Sequence, residues 1–167
     1  LEQSRRLRGL QADRFRESRE EWARVLTEGD ERSLEGLLAG MREAQRQGAT
    51  GEMGDLGSTI EAVEKLAGAL RAAEEDPVAA IDAAYELPRP KGGPLLKEWD
   101  DIVEVRRGEI VERALEKAWR AEEEDLGEAE KLYVKIQEVL EKHSSEAGKR
   151  AEAGAEFAFA LFEGDRN

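Results

Sequence analysis

The chain has no cysteine. Disulfides, thiolate metal sites and cysteine nucleophiles are therefore excluded. Histidine occurs once, at His143, and asparagine once, at Asn167. One histidine without cysteine leaves little for a zinc site or a nucleophilic triad. Aromatic residues make up only 5% of the chain, so each Trp, Tyr and Phe carries weight in the core or at a surface. No apolar run approaches the roughly 18 residues of a membrane span. The chain does not open on a basic stretch followed by an apolar one, so no signal peptide is expected. A cytoplasmic location is the expectation these absences favour. Strand signals are nearly missing as well. The closest, Ile102, Val103 and Val105, is flanked by charge and fits a helical period.

Charge is what the chain has in abundance. Against 26 Lys and Arg stand 39 Asp and Glu, a net charge of -13. Nucleic acid needs clustered cations to displace counterions, so it is a poor partner. An anionic membrane is poor for the same reason. A protein or peptide partner, preferably basic, is the electrostatically favoured ligand. The cations that exist crowd one end: Arg5, Arg6, Arg8, Arg14, Arg16 and Arg19. The acids gather most densely at Glu122, Glu123, Glu124 and Asp125. Abundant Glu and Arg with scarce amides and no thiols match the thermophile trend toward ion pairs.

Apolar residues recur at helical spacing almost throughout. The pattern predicts an all-α protein of about six or seven helices, arranged as antiparallel hairpins in a short solenoid or an irregular bundle. Leu7, Leu10, Phe15, Trp22, Val25 and Leu26 stripe a helix over 2–28, which Gly29-Asp30 ends. Leu34, Leu37, Leu38 and Met41 stripe the next, over 31–46. A third is expected over 52–75, with Ser58 an alternative start because Gly54 and Gly57 weaken the first turns. Asp76-Pro77 opens a short fourth helix, as cap and first helical residue. Three of the four prolines fall in 88–94, the best candidate linker. It divides the chain into N-terminal hairpins over 1–87 and a C-terminal hairpin region over 95–167, with one continuous domain as the alternative. Helices are expected over 95–124, 126–143 and 145–163. Trp22, Trp99 and Trp119 are expected in the core.

The stretch 109–167 resembles the tetratricopeptide-like helical repeats. Glu128-Ala129, Tyr133 and Ile136 follow the turn at Asp125 as in a repeat's second helix, and Leu115, Ala118 and Trp119 precede it as in the first. Phe157, Phe159, Ala160 and Gly164-Asp165 look like the first helix of a following repeat. Trp22, Gly29-Asp30, Leu34 and Leu38 form a poorer copy. The resemblance implies stacked hairpins and a protein-binding role.

Candidate chemistry is sparse. His143 continues the apolar face of Val139 and Leu140, as a haem ligand or, more simply, a cation favoured at a helix C-terminus. Glu52 and Asp55, with Glu20-Glu21 upstream, resemble the carboxylates of the all-α nucleotide pyrophosphohydrolases (the MazG-like group), which bind Mg²⁺. Arg24 stands where that group carries a further Glu. A di-iron Glu-x-x-His pair is missing, since Leu140 lies three before His143. Lys91-Gly92-Gly93 lacks the spacing of a phosphate loop. No catalytic residue and no cofactor is implied. The function expected is a non-catalytic scaffold that binds a protein or peptide, with Trp119, Tyr133, Glu122, Glu123, Glu124 and Asp125 as partner-binding residues. A metal-dependent pyrophosphohydrolase and a regulatory or oligomerisation domain of a larger protein are the alternatives.

Overall fold

The computed structural model describes residues 2–48 and 56–143. Among these there are six helices and no strand: α1 (Glu2–Glu28), α2 (Glu31–Arg46), α3 (Leu56–Glu75), α4 (Pro77–Tyr85), α5 (Trp99–Glu124) and α6 (Leu126–Lys142). The all-α expectation is met. The helix expected over 145–163 and the start expected at Glu52 lie outside the described residues.

Short polar turns set the helix boundaries. Gly29 donates its N–H to Val25 O at 2.7 Å, closing α1. A Cβ there would come within 2.5 Å of Val25 O, so the turn requires glycine. Asp30 then caps α2, its carboxylate accepting from Ser33 N at 2.8 Å. That bond holds the Asp30 carboxyl below its usual range. Asp76 caps α4 through Ala79 N at 3.1 Å, with Pro77 in the first turn. Asp125 caps α6 through Gly127 N at 2.9 Å and Glu128 N at 3.3 Å. Each cap satisfies N–H groups that a helix cannot satisfy itself.

The chain forms two compact units that interleave in sequence. One comprises the described parts of Leu1–Ala67 together with Pro88–Ile102, the other Gly68–Leu87 and the described part of Val103–Asn167. In the first, α1 and α2 pack together. Its core holds Leu26, Leu34, Leu37, Leu38 and Met41, with Leu56, Ile60, Val63 and Leu66 from α3 and Leu95, Trp99 and Ile102. The proline-rich segment belongs here and is tied to α3. Lys91 N donates to Ser58 Oγ at 3.1 Å, and Thr59 Oγ1 donates to Gly92 O at 3.4 Å. Residues 94–98 turn rather than continue a helix, so α5 begins at Trp99, later than the periodicity predicts. Asp100 and Asp101 suit the first turn of a helix that starts at Trp99.

In the second unit α4 packs on α6. Ala80, Ile81 and Ala84 of α4 and Ala129, Tyr133, Ile136 and Leu140 of α6 are buried, with Val103, Ile110, Val111, Ala114 and Ala118 of α5. Small residues along α4 leave little side chain to hold neighbours away. Arg106 is a buried charge, only 4% exposed, and its guanidinium donates to Glu109 Oε2 at 3.0 Å. The Glu109 side chain keeps 35% of its surface exposed, so the pair sits at the edge of the core and not within it. No described helix is long and apolar enough to cross a membrane.

Candidate functional site

Two places in the second unit combine exposure or polarity with fixed geometry. The first is the α5–α6 hairpin. Trp119 is 50% exposed, which corrects its expected core position. The buried stripe of α5 runs through Ile110, Val111, Ala114 and Ala118. A residue one position beyond Ala118 is rotated by about 100°, so the small Ala occupies the interior and the indole turns outward. Leu126 and Val134 are also exposed. A shallow groove along the outside of α6 is lined by Gly127, Glu130, Lys131, Val134, Lys135 and Glu138.

The other expected partner-binding residues divide by burial. Tyr133 is 2% exposed, so it has no face to offer a partner, a correction to the sequence reading. Its hydroxyl donates to Glu122 Oε1 at 3.0 Å, tying α6 to α5. Burial first, then the Glu122 carboxylate, holds the Tyr133 phenol far above its ordinary range. Glu122 is half-buried in this bond, whereas Glu123, Glu124 and Asp125 are exposed. Asp125 serves as the α6 cap. Trp119, Glu123 and Glu124 are therefore the expected residues that face solvent without a capping or core role. Glu52 and Asp55 lie outside the described residues, and Glu20 and Glu21 are exposed on α1.

The second place is a polar cluster where α4 and α6 end. Asp82 and Glu86 stand one turn apart, and Glu86 is the C-cap of α4. Lys142 closes α6 and His143 is its C-cap. Lys142 Nζ lies 2.9 Å from Asp82 Oδ1 and 3.6 Å from Glu86 Oε1. His143 Nε2 lies 2.6 Å from the same Asp82 oxygen. An ionised carboxylate only accepts, so Nε2 carries the proton. The bond from His143, then that from Lys142, holds the Asp82 carboxyl below its usual range against an opposing desolvation. Asp82 in turn raises the Lys142 ammonium above its ordinary value.

Aromatic packing fixes the imidazole. The Tyr85 ring stacks on His143 with centroids 5.1 Å apart and planes 11° from parallel. The Arg107 guanidinium sits 4.6 Å from the Tyr85 centroid and its Nε donates to Ala84 O at 2.9 Å. Burial raises the Tyr85 phenol, with Arg107 opposing. The Tyr85 hydroxyl is buried without a hydrogen-bond partner. His143 thus does more than end α6: its ring face is covered and its Nε2 is engaged.

Comparison with known protein families, curated proteins and solved structures yields no match for this chain. Asp82, Glu86 and His143 bring ligand atoms within 4.8 Å of one another, a spacing that could hold a metal ion. The sequence reading missed Asp82 and Glu86. The available signal was an isolated Asp inside the small, apolar stretch from Pro77 to Tyr85, with a Glu one turn later.

Proposed function

We propose that the chain is a non-catalytic helical scaffold that binds a basic, amphipathic helical segment of a partner protein on its α5–α6 hairpin. The observation that carries this reading is Trp119, half-exposed one turn before an exposed acidic helix end. Exposed Trp is costly to solvate, and Trp is enriched among residues that dominate binding energy. Leu126 and Val134 are further exposed apolar side chains, on α6.

Charge supports the choice of partner. Glu123 follows Trp119 by one helical turn on α5, Glu124 ends that helix, and the whole chain is strongly acidic. Lys or Arg beside an apolar anchor would be drawn toward that end and oriented by it. The anchoring side chain would pack on Trp119, as in other grooves that receive an amphipathic helix. The same charge makes nucleic acid an unfavourable ligand. On this reading the hairpin is tetratricopeptide-like in use as well as in residue pattern.

Calorimetric titration with a designed Lys/Leu amphipathic helix, and with its Glu/Leu counterpart, tests the proposal. The cationic peptide should bind and the anionic one should not. Trp119→Ala should cost about 2 kcal/mol or more, roughly a 30-fold rise in Kd. Equal binding by Trp119→Ala, or a preference for the anionic peptide, would overturn it.

A further inference from the structure

We propose that Asp82, Glu86 and His143 form a binding site for a borderline divalent transition-metal ion of the Zn²⁺ type, which clips the end of α6 to α4. Nothing in the scaffold reading requires this site.

The ligand set is one imidazole and two carboxylates. Imidazole suits Zn²⁺ and its first-row neighbours, whereas Mg²⁺ and Ca²⁺ are served by oxygen alone. Asp82 and Glu86 lie four residues apart, so both carboxylates project from one face of α4. His143 is supplied from a different helix, and the three ligand atoms already lie within 4.8 Å. Metal–ligand distances of about 2.0–2.2 Å place neighbouring ligand atoms on one ion roughly 3 to 3.5 Å apart. The 2.6 Å gap between His143 and Asp82 would open by less than about 1 Å. Glu86, with a 59% exposed side chain, is free to swing inward.

Two further observations point to a cation. The Lys142 ammonium already lies within 4 Å of both carboxylates, so the position between them attracts positive charge in the folded chain. Its side chain is 58% exposed and can leave for solvent when an ion takes its place. The Tyr85 stack separately holds the imidazole, so this ligand is oriented before any ion arrives. On coordination the ring nitrogen facing the ion gives up its proton, either to the other nitrogen or to solvent. Three protein ligands leave at least one position for water.

The test is titration of the full chain with Zn²⁺ near neutral pH, with Co²⁺ absorption reporting nitrogen ligation. One ion should bind per chain. His143→Ala and Glu86→Gln should each weaken it by about 10-fold or more. Lys142→Met should tighten it, because the competing ammonium is gone. Should His143→Ala lose helicity, Glu86→Gln and the Co²⁺ spectrum decide. Failure of Zn²⁺ to bind at millimolar concentration would overturn the site. So would affinity indifferent to Glu86→Gln, equal binding of Mg²⁺, or a Co²⁺ spectrum without nitrogen ligation.

Discussion

The Tyr85 ring and the His143 ring lie nearly parallel, 5.1 Å between centroids, and so join the last turn of α4 to the cap of α6. The contact spans 58 positions of sequence and closes the packing of α4 against α6 at its polar edge. Stacked aromatic pairs are worth about 0.5–1.5 kcal/mol beyond the area they bury. A double-mutant cycle on Tyr85→Ala and His143→Ala, followed by urea denaturation, should return a coupling of about that size. Strict additivity would show that the rings do not stabilise one another.

Asp82 makes the same junction pH-dependent. Its carboxyl is held below the usual carboxylate range by the bonds from His143 and Lys142. A depressed folded value stabilises the protein above the unfolded value, and the benefit is lost as pH falls through the folded one. Lys142 runs the other way. It is raised above 10.5, so its share is present below that value and is lost as pH rises further. Melting temperature should fall between about pH 4 and lower values, and should fall less steeply in Asp82→Asn. Asp30 contributes in the same acid window through its cap, so part of the slope should survive in that variant.

Tyr133 tests the tie between α5 and α6. Tyr133→Phe keeps the buried ring but leaves half-buried Glu122 without its 3.0 Å donor. The expected loss is about 1–3 kcal/mol, since hydrogen bonds to charged groups lie at the upper end of the range. Both Tyr phenols are raised, so stability should be complete below the unfolded value of 10.0 and decline as pH climbs past it. Absorbance of the phenolate should accordingly appear together with the loss of helical circular dichroism.

Asp125 and Glu124 are adjacent acids with opposite effects. Asp125 caps α6 with two backbone N–H groups, so Asp125→Ala should destabilise by about 0.5–2 kcal/mol. Glu124 ends α5, where a negative charge opposes the helix dipole. Glu124→Gln should leave stability unchanged or raise it slightly. Thermal melts of the two variants check both signs.

Helical periodicity and turn chemistry made much of this fold legible. Leu34, Leu37, Leu38 and Met41 are all buried, as their spacing implies, and Asp30, Asp76 and Asp125 all cap helices. The α5 start lies later than periodicity implies, because periodicity ignores the preference of Asp100 and Asp101 for a first turn. Trp119 was misplaced because hydrophobicity alone favours burial, while its angular position beside Ala118 decides against it. The cluster at Asp82, Glu86 and His143 could not be read from spacing. Its histidine lies 61 residues from Asp82, and only the packing of α4 on α6 unites them.

In the proposed function Trp119 anchors a docking face for a basic helix. Indole N–H signals in a ¹⁵N-labelled spectrum report it most directly, because the chain has only three, from Trp22, Trp99 and Trp119. On titration with the cationic amphipathic peptide, the Trp119 signal should shift and saturate while buried Trp99 stays in place. A Trp119 signal that does not move while the peptide binds elsewhere, or no binding at all, would show that Trp119 is not the anchor.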